Sequence, residues 1–155
     1  MAATKIERIA IHDLKPWARN ARTHSKKQVR QIADSIEQFG FTNPVLIDEG
    51  GTILAGHGRV AAAKLLGMRE VPCLRFEHMT EAEKRAYVLA DNKLALNAGW
   101  DEDLLAAELG ALMSDDLDFD VELTGFSIPE VDNLMEAVAP DEGGDPADET
   151  VPNEG

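Results

Sequence analysis

Cysteine is almost missing from this chain: Cys73 stands alone among 155 residues, which excludes an internal disulfide and a cysteine-based metal site. Aromatic residues are also few, 5% against 44% apolar residues in all, enough for one modest core with appendages but not for two large domains. Apolar runs are short. No stretch of 18 residues could span a bilayer, and the opening Met-Ala-Ala-Thr-Lys-Ile-Glu has no apolar signal core, so neither membrane insertion nor secretion is indicated. The default reading is a soluble protein of a reducing cytoplasm. Basic residues run out along the chain: residues 1–80 carry 12 Lys/Arg against 8 Asp/Glu (+4), and residues 81–155 carry 3 against 21 (−18), within a net charge of −14. The first half can attract a phosphate, whereas the second would repel a nucleic-acid backbone. For the last twenty residues, solubility alone is a simpler account of the acidity.

Local patterns outline alternating strands and helices. Lys5 to Leu14, with Ile6, Ile9 and Ile11 among polar residues, reads as a strand leading to Pro16. Ser25-Lys26-Lys27-Gln28 is a capping box opening a helix whose Val29, Ile32, Ala33, Ile36 and Phe39 recur at helical spacing until Gly40. Pro44–Asp48 and Thr52–Ala55 are short β-rich runs on either side of Glu49-Gly50-Gly51, a hairpin signal. The second run leads directly into a Gly56-His57-Gly58-Arg59 turn, then a helix from Val60 to Leu66 with Gly67 as its stop. Val71 to Phe76 reads as a strand returning to the same sheet. Thr80-Glu81-Ala82-Glu83 opens another helix, with Ala86, Leu89 and Ala90 on one side and Asp91-Asn92 towards its end. A further helix from Asp101 to about Met113 carries Leu104, Leu105, Leu109 and Leu112, and Ser127-Ile128-Pro129-Glu130 opens a last one through Leu134 and Val138. Residues 115–125 are acidic and irregular. From Pro140 the composition is too polar to repay ordering, which predicts a disordered tail or linker at residues 140–155, as if the sequence were the front of something longer.

Three places could carry chemistry. The Gly56-His57-Gly58-Arg59 turn lies between a strand and a helix: glycines let backbone approach a ligand, helix N–H groups face the turn, and Arg59 adds a bidentate charge, an arrangement suited to an anion. A tight turn whose glycines solve only a steric problem is the competing reading. Pro16 to Ser25, containing Trp17, Arg19, Asn20, Arg22, Thr23 and His24, is a loop rich in recognition groups, or merely a solvated helix approach. Asp91-Asn92-Lys93 pairs a carboxylate with an amide oxygen, which suits magnesium held jointly with substrate phosphates, or is an ordinary polar cluster.

Taken in order, Pro16 to Ser25, SIEQFGFTNPVLID, ILAGHGRVAAAKLLGMREVPCL and TEAEKRAYVLADN resemble the N-terminal domain of ParB, in the ParB/sulfiredoxin superfamily. The resemblance implies an α+β fold, a small mixed sheet with packed helices, over residues 1–98, then an acidic helical extension at 99–139. It also implies a pocket for CTP and magnesium. By position, Arg22 and Thr23 match the loop that ends in Pro-Arg, Gly56, His57, Gly58 and Arg59 match the Gly-Glu-Arg-Arg triphosphate turn, and Asp91-Asn92 match the metal-binding Glu-Asn pair. His57-Gly58 replaces Glu-Arg, so a carboxylate and a phosphate-binding arginine are missing and hydrolysis is disfavoured. Cys73, in a strand among apolar neighbours, reads as an inert thiol, not that of a sulfur reductase. ParB continues into helix-turn-helix DNA-binding elements, while this chain continues into GWDEDLLAAELGALMSDDLDFDVELTGF, without a basic recognition helix. That continuation resembles the ParB-like domains at the front of phage and bacterial DNA-modification methylases.

The expected function is a nucleotide-binding module, for a CTP-like triphosphate with magnesium, that regulates or targets DNA modification or partitioning. Any DNA contact would then be indirect, through a fused or associated DNA-modifying protein. Two rivals stand beside it: a metal-dependent ParB-like nuclease or phosphotransferase with His57 as general base, and a ligand-free adaptor that docks partners through its acidic helices. The sequence leaves open which base is recognised and whether ligand binding closes a homodimer.

Overall fold

A computed structural model describes residues 5–20 and 23–139. Among the described residues, contacts form two compact units, one within 5–99 with 123–125 and one of 100–122 with 126–139. The first is built on a four-stranded sheet: β1 (Ile6–Ala10), β2 (Val45–Ile47), β3 (Ile53–Ala55) and β4 (Glu70–Arg75), in the order β1-β4-β2-β3. β4 is antiparallel to β1 and parallel to β2, and β2 and β3 form the antiparallel hairpin expected around Glu49-Gly50-Gly51. The sheet is mixed and the class is α+β, as expected.

β1 is shorter than its alternation suggested. It stops at Ala10, paired with Glu70 where β4 begins, so beyond it there is no strand to bond. Ile11–Asp13 instead winds into a 3-10 turn, with Ile11 N–H donating to Arg69 O at 2.9 Å. Pro72 is tolerated inside β4 because the parallel pairing to β2 begins only at Cys73.

The helices are α1 (Lys26–Phe39), α2 (His57–Leu65) and α3 (Glu81–Asn97). α1 and α3 open with complete capping boxes at Ser25 and Thr80, each satisfying two end N–H groups. Val45, Ile47, Ile53, Val60, Ala63, Val71 and Cys73 form the core between sheet and α2. Full burial of a side chain such as Ile47 contributes roughly 1.5–3 kcal/mol. Burial pushes the Cys73 thiol up to about 11, which keeps it protonated and inert.

Two expectations are corrected here. α2 begins at His57, not Val60, because Gly56 already takes the cap position; the turn thus contracts to one residue and His57, Gly58 and Arg59 form the first helical turn. α3 buries a different face from the one expected: Ala86 and Ala90 are exposed and Leu89 is 60% exposed, while Lys84 and Val88 face inward. The cause is electrostatic. Lys84 Nζ reaches carboxylates at Asp48 and Glu49 in the β2–β3 turn, and Val88, one helical turn on, is buried on the same face.

The second unit contains α4 (Glu102–Ser114), capped by Asp101, and α5 (Ile128–Val138), capped by the Ser127 box. Leu109, Val121 and Val131 are its buried centre, with Leu105, Leu112, Phe126 and Met135 packed around them. Leu104, expected on the apolar stripe, is exposed. The expected tail at 140–155 lies outside the described residues.

Candidate functional site

The loop after β1 is laid along the edge of β3 by a single parallel bridge. Lys15 N–H donates to Gly51 O at 3.0 Å and Ile53 N–H donates to Lys15 O at 2.8 Å. Two residues later, Trp17 N–H donates to Nε2 of His57 at 3.0 Å. A ring nitrogen that accepts carries no proton, so His57 is the neutral tautomer protonated on Nδ1. Burial pushes its pKa below the ordinary value, and the nearby His24 adds to the effect. His57 thereby fastens the loop to α2. The general-base role that the rival enzyme reading gave it would first require Trp17 N–H to release the basic lone pair.

Gly56 caps α2 in the left-handed region, at φ 111°, where a side chain would be strained. A β-carbon there would also stand 3.1 Å from Arg59 Nη2 and 3.3 Å from Val45 Cα. Its smallness lets Arg59 fold back over the helix start. Nη2 of Arg59 then donates to Pro44 O at 2.9 Å, while Nε, shielded from solvent, has no hydrogen-bond partner among the described residues. The expected bidentate fork is therefore partly committed to backbone. Burial pushes the guanidinium pKa down, against Asp91 and Tyr87, which raise it, but a guanidinium stays charged.

Gly58 is buried in the first turn of α2, and a β-carbon on it would lie 3.0 Å from both His24 Cε1 and Ile32 Cδ1. The ring of His24 thus rests directly on the helix start. α2 has no side-chain cap, and its first intrahelical bond runs from Val60 N–H to Gly56 O, so the N–H groups of residues 57–59 have no acceptor within the helix.

These groups surround one cavity of about 300 Å³, lined by Asn20, His24, Gly56, His57, Gly58, Arg59, Asp91 and Asn92, with Ile32, Leu54, Ala55 and Ala95 as apolar walls. Asp91-Asn92 sits in the interior of α3, which continues to Asn97, instead of near its end. Asn92 Nδ2 donates to Val88 O of its own helix at 3.0 Å. Asp91 and Asn92 supply only oxygen donors and a single negative charge. That set fits magnesium shared with ligand phosphates, not an ion held by protein alone. Among the described residues no three His, Cys, Asp or Glu side chains cluster as a self-sufficient metal site. Thr23 is exposed and does not line the cavity; Arg22 lies outside the described residues. Asn20 and His24, two residues before and one residue after that pair in the same recognition loop, line the cavity, and nothing in their local spacing marks them out.

A family model described as the ParB N-terminal domain matches residues 1–93. The chain belongs to the ParB N-terminal domain family. It is 55% identical over 75 residues to the ParB-like nuclease domain-containing protein YnaK of Escherichia coli K12, covering 48% of this chain and 86% of that protein. It is 33% identical over 91 residues to the stage 0 sporulation protein J of Bacillus subtilis, covering 56% of this chain and 32% of the relative. The ParB-like chain thus spans about a third of that longer protein. Among solved structures, it is similar to the C-terminally truncated chromosome-partitioning protein ParB from Caulobacter crescentus complexed with CTP-gamma-S, with TM-score 0.72, 21% identity and coverage of 90% of this chain and 81% of that one. This likeness establishes the ParB fold.

A second model, the ParB-methyltransferase HTH domain, matches residues 103–154. The methylase association expected for the extension agrees with that description. The extension thus matches a helix-turn-helix description although, as read from the sequence, it has no basic recognition helix. No helix among the described residues is long and apolar enough to cross a membrane.

Proposed function

We propose that this ParB-like domain binds a nucleoside triphosphate, CTP-like and with magnesium, and that the bound state regulates or targets DNA modification or partitioning. The observation that carries the reading is Arg59. Its part-buried charge sits at an uncapped helix start, with one N–H unmet, in a cavity that opens onto Asp91. A phosphate offers what this arrangement lacks, a negative charge with several acceptor oxygens. The Caulobacter structure supports the choice of nucleotide, since a protein of the same fold was solved with CTP-gamma-S.

In this reading the N–H groups of residues 57–59 and Arg59 hold the phosphates, and Asn20 and His24 close the pocket from the loop. Asp91, beside Asn92, would hold magnesium, which when bound neutralises part of the triphosphate charge. His57 keeps the loop in place and moves no proton. The acidic second unit matches a helix-turn-helix description associated with methyltransferases, which supports a DNA-modification partner over an independent operator-binding role.

Isothermal titration with the four ribonucleoside triphosphates and magnesium tests this. One of them binds in the micromolar range, and Arg59→Ala weakens it about tenfold or more, the scale of one or two charge-assisted hydrogen bonds. Absence of saturable binding to all four would defeat the reading and shift weight to an adaptor role.

A further inference from the structure

We propose that His24 contacts the phosphate groups of the ligand, supplying from the loop before α1 the contact that Gly58 cannot make from α2. The proposal deepens the nucleotide reading and rests on it for the identity of the ligand.

Four residues open α2, and among their side chains only Arg59 offers an anion a charge. Gly56 and Gly58 have none, His57 is neutral with Nε2 bonded to Trp17, and Arg59 has Nη2 committed to Pro44 O. The space above Gly58 is not empty, however. The His24 ring fills it, with Cε1 and Nδ1 at 3.0 and 3.1 Å from the position a β-carbon would take. The same ring lines the cavity beside Asn20, Arg59 and Asp91.

His24 is also well placed by its neighbours. It immediately precedes Ser25, whose Oγ accepts from Gln28 N–H at 3.0 Å while Ser25 N–H donates to Gln28 Oε1 at 3.2 Å. That capping box fixes the direction in which the chain enters α1, immediately after His24. A glycine inside a helix costs about 1 kcal/mol relative to alanine. At position 58 that cost has a steric counterpart: an alanine methyl would press the ring and Ile32 outward by a few tenths of an ångström. Gly58 and His24 thus form a complementary pair in which the helix gives up a side chain so that an imidazole can stand at its start. An imidazole offers an N–H donor, or a cation once protonated, and either recognises phosphate.

The test uses the full chain, titrated calorimetrically with each ribonucleoside triphosphate plus magnesium and, separately, with inorganic tripolyphosphate. Thermal unfolding verifies that every variant is folded. His24→Ala is expected to weaken binding about tenfold for either ligand, one charge-assisted hydrogen bond, and His24→Gln, which keeps a donor, to weaken it less. Gly58→Ala, by displacing the ring, weakens binding in the wild-type background and has no further effect in His24→Ala. Wild-type affinity in His24→Ala, or an equal cost of Gly58→Ala in both backgrounds, overturns the proposal. If tripolyphosphate binds in a His24-dependent way and no nucleotide does, the phosphate contact stands and the nucleotide reading falls. Failure of both ligands to bind overturns the two together.

Discussion

A histidine with a depressed pKa is a source of acid sensitivity. His57 is held neutral by burial and by donation from Trp17 N–H, so the unfolded chain takes up its proton more readily than the folded one. Its contribution is therefore complete above the ordinary histidine pKa, about 6.5, and is lost as pH falls below that value. Urea unfolding at pH 7.5 and pH 5.5 checks this: the wild type loses stability on acidification, and His57→Gln, which keeps an acceptor but cannot titrate there, loses less. Equal losses would show that the proton is taken up elsewhere. His57→Ala leaves Trp17 N–H unpaired and costs roughly 1–3 kcal/mol at pH 7.5. Position 57 was legible as part of the site, but its task was not. Nothing in Gly-His-Gly-Arg indicates that a backbone N–H 40 residues upstream will occupy the ring nitrogen.

At the scale of elements, α3 is where the apolar pattern misled. Ala86, Leu89 and Ala90 form a reasonable stripe, yet the helix turns Lys84 and Val88 inward. Lys84 Nζ lies 3.0 Å from Asp48 Oδ2, 3.1 Å from Glu49 Oε2 and 3.3 Å from Glu81 Oε2, with only 4% of its side chain exposed. Burial would raise the Asp48 carboxyl, but N–H groups of Thr52 and Gly50 and the Lys84 ammonium outweigh it and hold the group below its ordinary range. The hairpin turn and α3 are pinned together through this contact. Lys84→Met strands a buried carboxylate and is expected to cost roughly 3–5 kcal/mol, most of it restored by adding Asp48→Asn. A chemical denaturation series on the two variants decides the matter; additive losses would mean that the lysine packs without pairing. The three capping boxes, in contrast, were fully legible, because Ser25, Thr80 and Ser127 bond to residues only three positions away.

For the whole molecule, charge is distributed with an abrupt change. After Lys93 the chain contains no lysine, arginine or histidine. A segment without a cation cannot release counterions from a phosphate backbone, the term that supplies essentially all non-specific DNA affinity. Fluorescence anisotropy with a random-sequence duplex near physiological salt is therefore expected to show no saturable binding by the full chain. Micromolar affinity there would mean that the basic residues of the first unit suffice to hold DNA, and would argue for direct contact over recruitment.

What the sequence determined by itself is what depends on neighbours along the chain: the hairpin at Glu49-Gly50-Gly51, the strand-to-helix passage at Gly56, the capped helix starts and the ordered motifs that mark a ParB-like domain. Tertiary structure alone decided the rest. The length of β1 follows from where β4 begins, the buried face of α3 from carboxylates 35 and 36 residues away, and the pocket from a loop carried over α2 by Lys15 and Trp17. Local signals are short-range free-energy preferences repeated in every copy of a motif. A buried ion pair or a ring resting on a glycine is a single long-range contact, which leaves no period or spacing in the sequence to be read.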